Sequence, residues 1–261
     1  MPKIAPSPVL HRIRLVTLAG AAALVLAACS TTKTSLSVNQ PDFSSMSKSA
    51  VEDGLGEAAE RYRKRPKDKA AIIYYAAALR AANQPGQAAS VLEAGMTAHP
   101  NDVDLRVAYA KALSVAGRYD QALSVIDGAI SPTQPAWNAL LVKGAVLDQM
   151  GRNAEAREVY NQALTIAPNE ASLEANLGLS YAMTHELDEA ESHLRRAVQM
   201  PGATSKIRQN LALVVGLQGR FDESRQLFSA ELSADQVEAN MSYVRTLLTQ
   251  QNRWKVIEGE G

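Results

Sequence analysis

Small and bulky apolar residues recur along this chain every 34 residues, without an insertion, from Lys69 onward. Two columns of the repeat hold small residues and one holds large residues. The small columns are Ala76, Ala110, Gly144, Gly178 and Ala212, and Ala88, Ala122, Ala156, Ala190 and Ser224; the large column is Leu92, Ile126, Tyr160, Leu194 and Phe228. Small side chains let two helices cross closely, and large ones fill the space beside the crossing. The pattern therefore predicts stacked pairs of helices.

Glycine marks the end of the first helix in most units. The position is Gly117, Gly151 and Gly219 in three units, and Asn83 and His185 in the other two. Glycine, and less readily asparagine or histidine, takes the left-handed backbone conformation that terminates a helix. Each unit is therefore predicted to turn sharply at this position, between its first and second helices.

Proline marks the end of the second helix. Pro66, Pro100 and Pro168 fall in one register, where the missing N–H and the fixed φ stop the helix before the next unit begins. In the second unit the prolines are displaced to Pro132 and Pro135. We expect the least regular joint of the array at that place.

The residues around the turns resemble those of tetratricopeptide repeats. The matching segments are Asn83-Gln84-Pro85-Gly86-Gln87-Ala88, Gly117-Arg118-Tyr119-Asp120-Gln121-Ala122, Gly151-Arg152-Asn153-Ala154-Glu155-Ala156 and Gly219-Arg220-Phe221-Asp222-Glu223-Ser224. The resemblance implies an all-α solenoid of about five helix pairs over residues 69–233. A stacked array exposes an apolar face at each end unless a further helix covers it. Residues 49–68 are predicted to form one capping helix, and residues 234–261 the other, with a tail.

The first 28 residues have the organisation of a bacterial export signal. Basic residues precede an apolar run from Leu15 to Ala27, which is too short to span a bilayer of about 30 Å comfortably. The run ends in Leu26-Ala27-Ala28-Cys29, which resembles the lipobox of bacterial lipoproteins. That resemblance implies cleavage between Ala28 and Cys29 and lipidation of the Cys29 thiol; a lone buried cysteine is the alternative. Residues 29–48, rich in serine and threonine, are predicted to be a flexible tether.

The side-chain inventory argues against an enzyme. Cys29 is the only cysteine, so lipidation leaves no thiol for a disulfide, a zinc site or a nucleophile. His185 and His193 are eight residues apart and lack a nearby third ligand, which favours a surface pair over a metal site. The sequence has no glycine-rich phosphate loop, serine nucleophile elbow or zinc-protease motif. We therefore expect no catalytic residue, metal, cofactor or small-molecule substrate.

The net charge of the chain gives no general attraction to nucleic acid. The chain has 27 basic and 27 acidic residues, and loss of the signal removes three basic residues and no acidic one, leaving 24 against 27. A basic cluster lies behind the tether, at Arg61, Arg63, Lys64, Arg65, Lys67 and Lys69. Two interpretations of this basic cluster stay open: a solvated helix end, or contact with acidic lipid headgroups or an acidic partner.

The first helices of such a solenoid line its inner side, and the family resemblance implies that this groove binds peptides or protein segments. The groove residues predicted to contact a partner are Ile73, Val107, Lys111, Leu141, Leu179 and Leu213. Ile73, Ala77 and Ala108 stand where chaperone-binding members carry a carboxylate clamp, so that clamp is absent. An amphipathic helix or an extended apolar segment is the expected ligand. The alternative is that several of these residues only pack between neighbouring helices.

Segments in and after the last unit resemble a more specific family of tetratricopeptide-repeat proteins. The segments Lys206-Ile207-Arg208-Gln209-Asn210-Leu211-Ala212-Leu213-Val214, Glu238-Ala239-Asn240-Met241-Ser242-Tyr243-Val244-Arg245 and Asn252-Arg253-Trp254 resemble the TadD family of tight-adherence (Flp) pilus assembly lipoproteins. That family implies a non-enzymatic outer-membrane lipoprotein that acts as a protein scaffold and helps to assemble or localise a secretin. By resemblance to enteric lipoproteins, a residue other than aspartate after the lipidated cysteine, here Ser30, implies transfer to the outer membrane. The alternative is a general cell-envelope scaffold for outer-membrane protein insertion or cell-wall synthesis.

Replacement of Cys29 by alanine is expected to abolish lipidation and membrane attachment, because no second cysteine offers an acceptor thiol. Incorporation of labelled palmitate and membrane fractionation measure the two effects, with Ser30→Ala as a control that keeps the label. Unchanged palmitate uptake and membrane attachment in the Cys29→Ala variant would contradict the anchor.

Overall fold

The computed structural model of this chain describes residues 48–259, with side chains from residue 49 to residue 249. This part of the chain forms twelve α helices and no strand. The helices are α1 (Lys48–Lys64), α2 (Lys69–Ala81), α3 (Pro85–Ala98), α4 (Val103–Val115), α5 (Tyr119–Asp127), α6 (Trp137–Gln149), α7 (Asn153–Ile166), α8 (Ala171–Met183), α9 (Leu187–Gln199), α10 (Ser205–Leu217), α11 (Phe221–Ser229) and α12 (Ala234–Gly259). None of these described helices is both long and apolar enough to cross a membrane. The predicted cleavage and lipidation site at Ala28 and Cys29 lies outside the described residues.

The helices form five successive pairs with one further helix at each end, which confirms the predicted all-α class. The pairs run from α2 with α3 to α10 with α11, while α1 packs on α2, and α12 packs on α10 and α11. Each first helix also contacts the first helix of the next unit. Within the described part of the chain, the second helices pack mainly against first helices, although an ion pair at 2.7 Å joins Arg195 of α9 to Glu223 of α11. The first helices therefore form one continuous layer.

The two end helices cover the apolar faces of the terminal units. Ala58 on α1 is fully buried and belongs to one cluster with Ala77 and Ala78 of α2. At the other end, Met241 and Val244 of α12 are fully buried in the cluster that surrounds Ala212 and Phe228. Stacked repeats need this protection, because a terminal unit has a neighbour on one side only.

The helices of each unit cross closely, as the small columns predict. The contact residues Ala88, Ala122, Ala156, Ala190 and Ser224 are all fully buried. Gly144 in α6 is the tightest point: a Cβ atom there would lie 2.3 Å from Cε1 of Tyr160, whose ring is itself fully buried. The sequence pattern indicated Ala156 as the residue facing Gly144. The ring of Tyr160 is instead the group that limits the side chain at position 144.

Each first helix ends in the same hydrogen-bonded turn. The residues predicted to be left-handed have φ values between 58° and 83°; they are Asn83, Gly117, Gly151, His185 and Gly219. The following residue then donates its N–H to a carbonyl five residues earlier, as Arg118 does to Leu113 and Arg152 to Leu147, both at 2.9 Å. This bond satisfies one of the carbonyls that a helix end leaves without a partner. The predicted turn positions are confirmed.

The second unit contains an irregular joint, as its displaced prolines predict. Helix α5 ends at Asp127, and no helix occurs between residues 128 and 136. Arg106 of α4 holds this segment, because its guanidinium donates to the Gly128 carbonyl at 2.6 Å and to the Pro100 carbonyl at 2.8 Å. Helix α11 is as short as α5, with nine residues, and the sequence pattern did not predict that.

A buried carboxylate joins the third and fourth units. Asp148 of α6 is only 5% exposed. Its carboxylate accepts hydrogen bonds from the Tyr160 hydroxyl at 2.9 Å, the Ser180 hydroxyl at 2.7 Å and the Asn153 amide at 2.8 Å. Burial and the neighbouring Asp148 charge raise the pKa of the Tyr160 hydroxyl. The network fixes α6 against α7 and α8.

Gly144→Ala is expected to destabilise the array. The clash with the Tyr160 ring costs about 1–3 kcal/mol, which exceeds the gain of up to about 1 kcal/mol from higher helix propensity. Gly56→Ala is the matched control, because a Cβ atom at Gly56 of α1 meets nothing within 4 Å. We expect the control to keep or slightly raise the urea midpoint and the test variant to lower it. Equal midpoints for the two variants would contradict the close crossing.

Candidate functional site

An open pocket of about 250 Å³ lies on the layer of first helices, where α2, α4, α6 and α8 meet. Each of the four helices contributes to its lining. Arg80 comes from α2, Lys111 and Val115 from α4, Leu141 and Ala145 from α6, and Asn176 from α8. The pocket therefore depends on the stacking of four successive units.

The repeat explains why Arg80 and Lys111 meet in this pocket. Lys111 corresponds to Ala77 one repeat earlier, and Ala77 lies three residues, slightly less than one helical turn, before Arg80. Since α2 and α4 are neighbours in the layer of first helices, the two cations belong to adjacent places on it. The next residue in the Lys111 column is Ala145, whose small side chain leaves the space that the pocket occupies.

The structure separates the predicted groove residues into two groups. Lys111 and Leu141 line the pocket. Leu179 and Leu213 are half-buried on α8 and α10 and do not line it.

Ile73 and Val107 are 1% and 2% exposed and belong to the hydrophobic core, so neither side chain is available to a partner. For these two residues the alternative interpretation, packing between neighbouring helices, is the one that the structure supports. Ala77 and Ala108, at two of the absent clamp positions, are also buried. The open part of the groove therefore begins with Arg80 and Lys111 and continues along Leu141.

Among the described residues, no acidic side chain lines the pocket beside its two cations, Arg80 and Lys111. Burial, and then the positive charge of Arg80, lower the pKa of Lys111 to about 8. Burial also lowers the pKa of Arg80. No aspartate or glutamate lines the pocket, and the carboxylate of Asp148 on α6 is taken up by its three internal donors. The pocket thus combines apolar walls with two incompletely compensated positive charges.

The size of the pocket limits what it can hold. Sites for small-molecule ligands and cofactors usually measure about 300–1,000 Å³, so about 250 Å³ suits one or two side chains better. Val115 at the pocket is 56% exposed, which is unusual for a valine beside other apolar residues. An apolar side chain from another molecule would cover Val115 while it entered the pocket.

The histidine pair does not form a metal site among the described residues. His193 lies with its Nδ1 atom 2.7 Å from Glu174, and its ring stacks on Tyr181 with 5.2 Å between centroids. Arg196 also donates to Glu174, at 3.1 Å. No group of three or more potential metal ligands occurs in the part of the chain that the structure describes. Glu174 and its partners therefore act as an ion cluster between α8 and α9.

The basic cluster is not one uniform surface. Lys69 forms ion pairs with Asp102 at 2.8 Å and Asp104 at 2.7 Å, and so joins the first unit to the second. Arg61 lies over the ring of Tyr74 at 5.6 Å, and Lys64 contacts Glu60 at 3.4 Å. Apart from Lys69, the basic side chains of the cluster are exposed.

Comparison with known proteins agrees with this architecture. Family models of the tetratricopeptide repeat match residues 79–143 and 138–170. No curated protein sequence matches the chain. A thermophilic tetratricopeptide-repeat protein from Thermus thermophilus is 20% identical, with a TM-score of 0.61, and the match covers 67% of this chain and 97% of that one.

A tetratricopeptide-repeat protein from Parabacteroides merdae is 10% identical, with a TM-score of 0.65, and the match covers 76% of this chain and 79% of that one. At these identities the likeness concerns the fold alone. The matched repeats lie within residues 79–170, and the helix pairs stack into the tetratricopeptide-repeat solenoid that the sequence predicts.

Lys111→Met is expected to raise the free energy of unfolding at pH 7 by roughly 1–3 kcal/mol, because it removes a desolvated charge and keeps an apolar stem of similar length. The pKa of Lys111 in the fold, about 8, lies below its ordinary value of 10.5, so the charged form disfavours folding. That cost is present below about pH 8 and is lost as the pH rises toward 10.5.

Urea denaturation at about pH 7 and about pH 10 measures the stability difference between the Lys111→Met variant and the unchanged protein. We expect the difference to shrink at the higher pH. A variant that is less stable at both pH values would contradict the desolvated state of Lys111.

Proposed function

We propose that this chain is a non-enzymatic outer-membrane lipoprotein whose repeat array holds a segment of another protein during tight-adherence (Flp) pilus biogenesis. In this role it assists the assembly or localisation of the secretin through which the pilus leaves the cell. The lipid on Cys29 attaches the chain to the periplasmic face of the outer membrane, and residues 29–48 connect it to the array. Four successive first helices then present the binding surface.

The pocket on the inner layer is the observation that carries the binding role. It is open, its walls are mainly apolar, and Val115 beside it is more than half exposed. Burial of this apolar surface by a segment of another protein would remove it from water, which favours binding. A segment laid along α4, α6 and α8 would cover Val115 and Leu141 together, as an amphipathic helix covers an apolar groove.

The cellular role is supported by the sequence at both ends of the chain. The Leu26-Ala27-Ala28-Cys29 motif supports export and lipidation. The segments in the last unit and in α12 support the tight-adherence role by their resemblance to the TadD family. Asn252, Arg253 and Trp254 of that resemblance lie where side chains are outside the described residues.

The double variant Leu141→Glu with Leu179→Glu is expected to lose partner retention while it stays lipidated and localised. Both leucines are half-buried on the layer of first helices, and a charge there would have to be desolvated for a partner to bind. The measurement is co-purification from solubilised outer membranes, with quantification of the secretin and the pilus ATPase. Circular dichroism verifies that the variant keeps its helices.

The matched control is Ile166→Glu with Phe221→Glu, which introduces two charges at exposed apolar positions of the second helices. This control should retain the secretin. Retention by both double variants would place partner binding away from the groove. Recovery of barrel-insertion or peptidoglycan enzymes in place of the secretin would favour the general envelope scaffold.

A further inference from the structure

The pocket holds two positive charges that nothing in the described structure neutralises. Arg80 and Lys111 come from adjacent helices, and the remaining lining residues are apolar or neutral. Other partly buried cations of the array have acidic partners: Lys69 contacts two aspartates, and Arg208 contacts Glu231 at 2.5 Å. Arg106 has no acidic partner either, but its guanidinium donates to the carbonyls of Gly128 and Pro100. The described pocket lining offers Arg80 and Lys111 no acidic acceptor.

We infer that the pocket receives an acidic side chain that lies within an apolar segment of the partner protein. Arg80 and Lys111 donate hydrogen bonds to the carboxylate, and Leu141 and Ala145 pack against the aliphatic residues beside it. This inference rests on the proposed function, because it names the chemistry of the segment that the groove binds.

The chemistry of the pocket favours a carboxylate over a neutral group. An ionised carboxylate has two oxygens that accept several hydrogen bonds, so one group serves both a guanidinium and an ammonium. Its negative charge offsets the burial of Lys111 and then the positive charge of Arg80, the two causes that lower the pKa of Lys111 in the free protein. Hydrogen bonds between charged groups are roughly twice as strong as those between neutral groups, and the apolar walls reduce competition from water.

The size and the walls of the pocket favour a side chain on an apolar segment over a free anion. A space of about 250 Å³ accommodates a carboxylate together with an aliphatic neighbour. Leu141, Ala145 and Val115 would gain nothing from a small hydrated anion, whereas an aliphatic group beside the carboxylate buries them. The partner segment is therefore expected to be apolar with one acidic residue facing Arg80 and Lys111.

The test uses 4-methylpentanoate, which joins a carboxylate to a leucine-like tail, and its uncharged counterpart 4-methylpentanamide. The full-length lipidated protein is prepared in lipid nanodiscs with labelled methyl groups. Binding is followed through the methyl resonances of Leu141 and Val115, which line the pocket. We expect the carboxylate to shift both resonances saturably and the amide to bind about tenfold more weakly or worse.

Three variants assign the effect to the pocket. Lys111→Met and Arg80→Gln should each weaken carboxylate binding by about tenfold or more. Lys143→Met is the matched control, because Lys143 lies outside the pocket and is paired with Asp127 at 2.8 Å. The control should bind the carboxylate as the unchanged protein does.

Two results with these probes would overturn the inference. One is equal binding of the acid and the amide by the unchanged protein, and the other is equal binding of the acid by the Lys111→Met variant and the unchanged protein. The absence of a saturable shift with the carboxylate would overturn it as well.

Partner retention separates this inference from the proposed function. The Lys111→Met variant is expected to lose secretin retention together with carboxylate binding. If it keeps the secretin while the Leu141→Glu with Leu179→Glu variant loses it, the groove binds the partner without an acidic anchor. In that case the inference fails and the proposed function stands. If the leucine double variant keeps the secretin too, the proposed function itself fails.

Discussion

The close crossing of the two helices within each unit is the constraint on which the rest of the structure depends. The crossing between α8 and α9 has no room for a further side chain: a Cβ atom at Gly178 would lie 2.8 Å from Cγ of Leu194 and 2.9 Å from the Ala190 carbonyl oxygen. Tight packing of this kind leaves little freedom to shift. Each first helix is therefore held at a set distance from its second helix, and the stacking of units then fixes the spacing of α2, α4, α6 and α8 on the inner layer.

Two kinds of buried polar group result from this packing, and they contribute differently. The carboxylate of Asp148 has a donor at each accessible position, so it stabilises the joint between units three and four without leaving a polar atom unpaired. Arg80 and Lys111 are half-buried and have no such partners among the described residues. A pair of charges that costs stability in the free protein is a common property of binding surfaces, where the partner supplies the missing contacts.

The sequence predicted most of the fold, because the contacts inside a unit recur at a constant spacing. The residue pairs Gly144 with Tyr160 and Gly178 with Leu194 are 16 residues apart in both units, so they appear as columns. The displaced prolines likewise predicted the joint after α5. The shortness of α11 left no comparable signal, because its end has no proline and no glycine.

The candidate site was harder to predict, because it depends on contacts between units and on how deeply each side chain is buried. The helical period places Val107 and Lys111 on one face of α4, yet Val107 is covered by neighbouring helices while the longer Lys111 reaches the pocket. The burial of Asp148 likewise depends on other elements, because its hydrogen-bond donors Tyr160 and Ser180 lie on α7 and α8. The lack of an acid near Arg80 and Lys111 is a property of the folded chain and has no sequence signature.

The residues equivalent to Arg80 and Lys111 are different in all the remaining units, which limits the positions that a bound segment can take along the groove. Across the array the Arg80 column reads Ser114, Asp148, Ala182 and Gly216, and the Lys111 column reads Ala77, Ala145, Leu179 and Leu213. A groove made of identical repeats would offer a guest the same surface after each translation by one unit, and the guest would have several equivalent positions along it. One charged pair near the N-terminal end of the array removes that equivalence, so a segment anchored there would have a single alignment along the array.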